Sequence, residues 1–167
     1  RVQRDLTVTN VVARLPGKRQ ADTIVMIMGH YDTVCVVRKP GTTTTDYALT
    51  AAAPKSPGVS DNASGVAAVL ELARVMSAHD WDKTLVFMAT SGEEYGLFGA
   101  TRYAEAAKKA GVKIEAVLNN DIIGNDDNGQ GVKLTHLVRL FTDDPADSPS
   151  RSLGRYVKTV AERYVPA

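Results

Sequence analysis

Four short motifs hold one histidine and five carboxylates. They are Gly29-His30-Tyr31-Asp32, Ser60-Asp61-Asn62-Ala63-Ser64-Gly65, Ser91-Gly92-Glu93-Glu94 and Asn119-Asn120-Asp121-Ile122-Ile123-Gly124. Imidazole nitrogen and carboxylate oxygen are ordinary zinc ligands. A carboxylate beside a metal can also take a proton from the water that the metal activates. This composition points to hydrolysis by a metal-bound water, provided the four motifs meet in space.

Each residue also has a plainer use. His30 and Asp32 are two apart on an extended segment, so both side chains fall on one face. Asp32 is therefore placed to hold the second ring nitrogen of a metal-bound His30; alone, His30 could simply end a strand. Asp61 could be the N-cap of the helix that follows it, but Ala63, Ser64 and Gly65 leave room for close approach to that terminus. Glu93 and Glu94 could be a solvated surface pair. At a strand end they point different ways, so one can ligate a metal while the other handles the proton. Asp121 could be a turn residue, but an ionised Asp ending a buried strand needs a partner. His79 reads as a surface residue and His136 as a core-edge residue.

The elements that must position these motifs can be read from the apolar pattern. Residues 6–15 are β-branched and partly alternating, as in a strand. Residues 23–28 and 84–89 are short apolar runs of the kind found in strands buried on both faces, and residues 112–118 are a third strand candidate. Val66, Val69, Leu70 and Ala73 share a face of a helix over 62–78. Leu97, Ala100, Ala104 and Ala107 do the same over 96–110, with Gly111 as the stop. Residues 132–141 read as a half-buried strand. Ser148-Pro149 is an N-cap and N1 pair for a last helix, striped by Leu153, Tyr156, Val157, Val160 and Tyr164. Residues 33–59 lack periodicity and form a long loop near the active site. Strands alternating with helices predict an α/β domain over 1–167. Its central sheet is mostly parallel, with helices on both faces and a mixed edge from an N-terminal hairpin. Three motifs follow apolar runs directly, and the fourth opens the helix leaving the first run. All four then fall at the carboxyl ends of the strands, where open α/β sheets bind ligands.

Composition narrows the function classes. The chain is 44% apolar and 23% charged, with 20 Lys and Arg against 19 Asp and Glu, a net charge of +1. No basic face suggests nucleic acid, and the apolar runs fall far short of the ~20 residues of a membrane span. Cys35 is the single cysteine, so no intrachain disulfide forms, and cysteine usage leaves the compartment open. The chain begins at Arg1 without Met or a signal-like segment, from which a processed or trimmed N-terminus is expected.

Taken in order, the four motifs resemble the M28 family of zinc aminopeptidases. The resemblance covers about residues 7 to 124. It implies a phosphorylase/hydrolase-like zinc exopeptidase fold and two zinc ions bridged by one aspartate and a water. It implies His30 and Asp121 as ligands of one zinc, Asp61 as the bridging carboxylate and Glu94 as a ligand of the other. Glu93 would be the general acid/base and Asp32 the carboxylate behind His30. It implies a peptide substrate with a free N-terminus and, from the resemblance only, a secreted or periplasmic location. The family's second zinc takes a further His well downstream of the Asn-Asn-Asp motif, and this sequence offers none. The expectation is therefore an N-terminal part of a peptidase domain, truncated at its C-terminus. It would hold at most one well-ordered zinc, be inactive by itself, and associate through its incomplete C-terminal side. Two alternatives stand beside it: a single-zinc acyltransferase like the glutaminyl cyclases, and a non-catalytic binding homologue.

Overall fold

The computed structural model describes residues 7–43, 55–127, 130–135, 137–143 and 145–165. The chain divides into two compact units, Arg1–Gly124 and Asn125–Ala167.

The first unit is built on a four-stranded sheet. Its strands are β1 (Val11–Leu15), β2 (Gln20–His30), β3 (Lys83–Thr90) and β4 (Lys113–Asn119), in the order β1-β3-β2-β4. β2 runs parallel to both β3 and β4, as the three strand candidates predict. Helix α1 (Ser64–Met76) follows β2 and helix α2 (Phe98–Lys109) follows β3.

Strand alternation sends the apolar residues of β2 and β3 to two opposite faces. On one face Ile24, Met26, Val86 and Met88 are buried, with Tyr103 of α2 packed against them. On the other, Ile27, Leu85 and Phe87 are buried with Val69 of α1, and Ala73 and Met76 extend that contact. Each helix thus covers its own face of the sheet. Burying a side chain such as Val69 contributes about 1.5–3 kcal/mol relative to leaving it exposed.

Two expectations are corrected. β1 does not form a hairpin with β2; it pairs antiparallel with β3. The reason lies in the connection. The amides of Lys18, Arg19 and Gln20 donate to the carbonyls of Trp81 and Asp82. Gly17 lies so close to the start of β3 that a Cβ there would stand 2.5 Å from the Asp82 carbonyl oxygen. The link therefore crosses the start of β3 and leaves β1 on its far side. The second correction concerns residues 132–141. Among their described residues there is no strand, only an isolated bridge between Lys133 and Asp127. Alternating apolar residues need a partner edge to become a strand. His136 and residues 44–54 of the long loop lie outside the described residues.

In the second unit, α3 (Pro149–Tyr164) starts as expected: Ser148 is the N-cap and accepts the Arg151 amide at 3.1 Å. Among the described residues, no helix is long and apolar enough to cross a membrane.

Candidate metal centre

Register brings the motifs together. Met28 of β2 lies opposite Asn119 at the end of β4, and His30 lies opposite Thr90 at the end of β3. The strands before three of the four motifs therefore end at one edge. The fourth motif enters by the turn Val59–Ala63, where Asp61 and Asn62 leave helical geometry just ahead of α1.

His30 is the centre of the arrangement and is 2% exposed. Its Nε2 lies 3.1 Å from Asp61 Oδ1, 3.6 Å from Asp121 Oδ1 and 4.0 Å from Glu93 Oε2. Its Nδ1 lies 3.0 Å from the main-chain carbonyl oxygen of Asp32. A carbonyl can only accept, so it places the ring proton on Nδ1 and turns the Nε2 lone pair toward the carboxylates. That is the tautomer a metal ligand needs.

Asp32 does this work by a different atom from the one its spacing suggests. Its carboxylate stands 3.8 Å from Nδ1, beyond hydrogen-bond reach. Instead its two oxygens accept the amides of Glu93 and Glu94, each at 3.2 Å. One residue thus orients His30 through its backbone and the glutamate pair through its side chain. Gly92 makes the turn possible with a φ of 74°, a left-handed value that favours glycine.

The ligand atoms of His30, Asp61 and Glu94 all lie within 4.8 Å of one another. Two ligands of a tetrahedral zinc, each about 2.0–2.1 Å from the ion, stand roughly 3.3 Å apart. The spacings from His30 to Asp61 and to Asp121 bracket that value. The donor set of one imidazole and several carboxylates fits zinc. The electrostatics agree. Burial disfavours a charged His30, but the Asp32 carbonyl and the carboxylates of Asp121, Glu93 and Asp61 outweigh it and raise its pKa. Burial, with the charges of Asp61 and Glu93, raises the pKa of Glu94. The crowded carboxylates favour a cation among them.

Asp61 is not the cap of α1. The next residue does that work: Asn62 Oδ1 accepts the Gly65 amide at 3.0 Å. The same side chain donates to the Asn120 carbonyl at 2.8 Å and accepts the Ile122 amide at 3.2 Å. On the other side of the site, Asn10 donates to the Gly99 carbonyl and accepts the Ser91 amide, tying the entry of α2 to the end of β3. Reading the sequence for acids and histidines passes over these asparagines. The signal for Asn62 was its place inside the Asp61 motif.

A buried imidazole ringed by carboxylates at the carboxyl edge of a parallel sheet defines an α/β fold with a metal-type site. Residues 10–166 match the model of peptidase family M28. The chain belongs to that family. A probable zinc metalloprotease of Pyricularia oryzae is 36% identical over 96% of this chain and 34% of its own length. One from Pyrenophora teres f. teres is 36% identical over 93% of this chain and 35% of its own length. The chain spans about a third of the length of these curated relatives. Among solved structures, BSAP, a zinc aminopeptidase from Bacillus subtilis, superposes with a TM-score of 0.67 at 26% identity, covering 95% of this chain and 33% of BSAP. The aminopeptidase from Aneurinibacillus sp. strain AM-1 gives 0.50 at 30% identity, covering 68% of this chain and 24% of that one.

Proposed function

We propose that this chain carries the metal-binding edge of a zinc-dependent aminopeptidase that removes N-terminal residues from peptides. The observation that supports it best is the set of carboxylates around the Nε2 of His30, whose Nδ1 is held by a carbonyl. In this reading His30, Asp61 and Asp121 would hold one zinc, and Asp61 and Glu94 would serve a second. Zinc held there would polarise the scissile carbonyl and lower the pKa of the attacking water. Glu93 would take the proton from that water on its carboxylate and hand it to the departing amine. Asp32 holds the Glu93 amide, which keeps the acid/base at the site. The two structural neighbours are aminopeptidases, which supports the substrate class.

One observation favours a second reading. The ligand atoms of His30, Asp61 and Glu94, all within 4.8 Å of one another, offer three protein ligands for a single zinc. That suits a single-zinc acyltransferase cyclising N-terminal glutamine. In either reading this chain by itself holds at most one well-ordered zinc, and its hydrolysis of peptides is very weak or absent.

Zinc titration of the 167-residue chain and assays on aminoacyl-anilides and N-terminal glutamine peptides test these readings. One equivalent or fewer, with very weak or no anilide hydrolysis, is the expected result. Two tight equivalents with full hydrolysis would mean that the second ion has another ligand. Cyclisation without hydrolysis would select the acyltransferase.

A further inference from the structure

Asp61 and Asp121 come from segments 60 positions apart in the sequence. One side chain links them. Asn62 is 1% exposed, among the most buried residues of the chain. Its Nδ2 donates to the Asn120 carbonyl at 2.8 Å, and its Oδ1 accepts the Ile122 amide at 3.2 Å. These are the two peptide groups on either side of Asp121. The carboxamide of Asn62 therefore grips the backbone around Asp121, while its own backbone follows Asp61 directly. The third bond, from the Gly65 amide, fixes the carboxamide against the start of α1. The fit is close: a Cβ on Gly65 would stand 2.4 Å from Asn62 Oδ1 and 2.2 Å from the Asn120 carbonyl oxygen. Asn120 continues the frame, since its amide donates to the carbonyl of Met28, two residues before His30, at 2.8 Å.

We propose that Asn62 is a positioning residue that sets the separation of Asp61 and Asp121, and through it the zinc affinity of the centre. The residue type follows from the chemistry. The position needs one donor and one acceptor on a short planar group. Aspartate offers no donor for the Asn120 carbonyl and adds a charge between the segments of Asp61 and Asp121. Alanine leaves three backbone groups, the buried Gly65 amide among them, without their partner. A neutral carboxamide holds both aspartates without adding to their repulsion. Groups that orient metal ligands typically carry 10–100-fold of metal affinity.

The inference rests on the zinc reading, and its test separates the two. Zinc affinity of the wild-type chain, Asn62→Asp and Asn62→Ala is measured by competition with a chelator. The stability of each metal-free form is measured alongside. The visible spectrum of the cobalt(II)-loaded protein reports ligand geometry. The expected result is a ~10–100-fold weaker affinity in both variants and an altered cobalt spectrum. Variants that lose stability but bind zinc as the wild type does, with an unchanged cobalt spectrum, would reduce Asn62 to a structural residue and overturn the proposal. A wild-type chain that takes up no zinc would overturn the zinc reading beneath it. If the variants do not fold, hydrogen exchange on the wild type decides. Coupling between sites is reciprocal, so zinc should slow exchange of the Ile122 and Gly65 amides. Unchanged exchange at both on zinc loading would overturn the role assigned to Asn62.

Discussion

The two sides of the site are held by different chemistry. On one side, Asp61 and Asp121 are fixed by the buried neutral side chain of Asn62. On the other, Glu93 and Glu94 are fixed by the charged side chain of Asp32, which is 15% exposed. The difference follows from what must be held. Three of the four anionic groups already crowd His30 Nε2 within 4.0 Å. A further charge beside Asp61 and Asp121 would raise their repulsion, so a carboxamide serves there. Near Glu93 and Glu94 the bonds go to main-chain amides, which welcome an anion. The neutral clip holds the segments that carry Asp61 and Asp121, and the charged one the turn that carries Glu93 and Glu94.

The largest expected effect lies on the glutamate side. In a form of the protein that turns over aminoacyl-anilides, Glu93→Gln should cut turnover by at least ~10²-fold and leave zinc content nearly intact. Asp61→Asn should instead lower zinc content, because in the two-zinc reading Asp61 would serve both ions. Steady-state kinetics with metal analysis of both variants checks this. Near-normal turnover in Glu93→Gln would move proton transfer to another group.

A smaller effect sharpens the contrast between the clips. Asp32→Ala removes the acceptor of two amides but leaves the main-chain carbonyl that holds His30 Nδ1. Hydrogen bonds to charged groups contribute about 1.5–3 kcal/mol each, so the metal-free chain should lose stability on that order in urea unfolding. Zinc affinity should change less than in the Asn62 variants. A larger affinity loss in Asp32→Ala than in Asn62→Ala would reverse the division of labour argued above.

How far these positions were legible depends on what fixes them. The ends of β2 and β3 follow from continuous apolar runs closed by polar residues, that of β4 from a run interrupted by Lys113 and Glu115, and the motifs inherit their places from those ends. Helices α1 and α2 follow from stripes such as Val69 and Ala73. The pairing of β1 did not follow, because strand pattern names a strand and not its partner; the path of Gly17 over the start of β3 decided it. Residues 132–141 alternate like a strand, but pattern alone supplies no neighbouring edge. The spacing of His30 and Asp32 suggests that the Asp32 carboxylate holds the ring, but the carboxylate stands 3.8 Å from Nδ1. Spacing could not say that the carbonyl of Asp32, and not its carboxylate, faces the ring, because that depends on where the Glu93 and Glu94 amides lie. Asn62 escaped notice because its role is a matter of hydrogen-bond geometry, which no residue type announces.

The smallest effect is set by pH, and it runs in opposite directions with and without metal. His30 and Glu94 both have pKa values raised above their ordinary 6.5 and 4.5. A group with a raised folded-state pKa contributes stability that is fully present below its unfolded value and is lost as pH rises through the folded one. The metal-free chain should therefore lose the Glu94 contribution as pH rises above about 4.5, and the His30 contribution as it rises above about 6.5. Zinc binding needs both groups deprotonated, so its affinity should rise over the same range. Urea unfolding of the metal-free chain between pH 5 and 8, beside zinc affinities at each pH, checks both slopes. Asp61, Asp121 and Glu93 supply the charges that raise His30, so Asp121→Asn should flatten its part of the metal-free slope. If the slope persists unchanged in that variant, the carboxylates around Nε2 are not the source of the shift, and the cluster is looser than the distances to His30 imply.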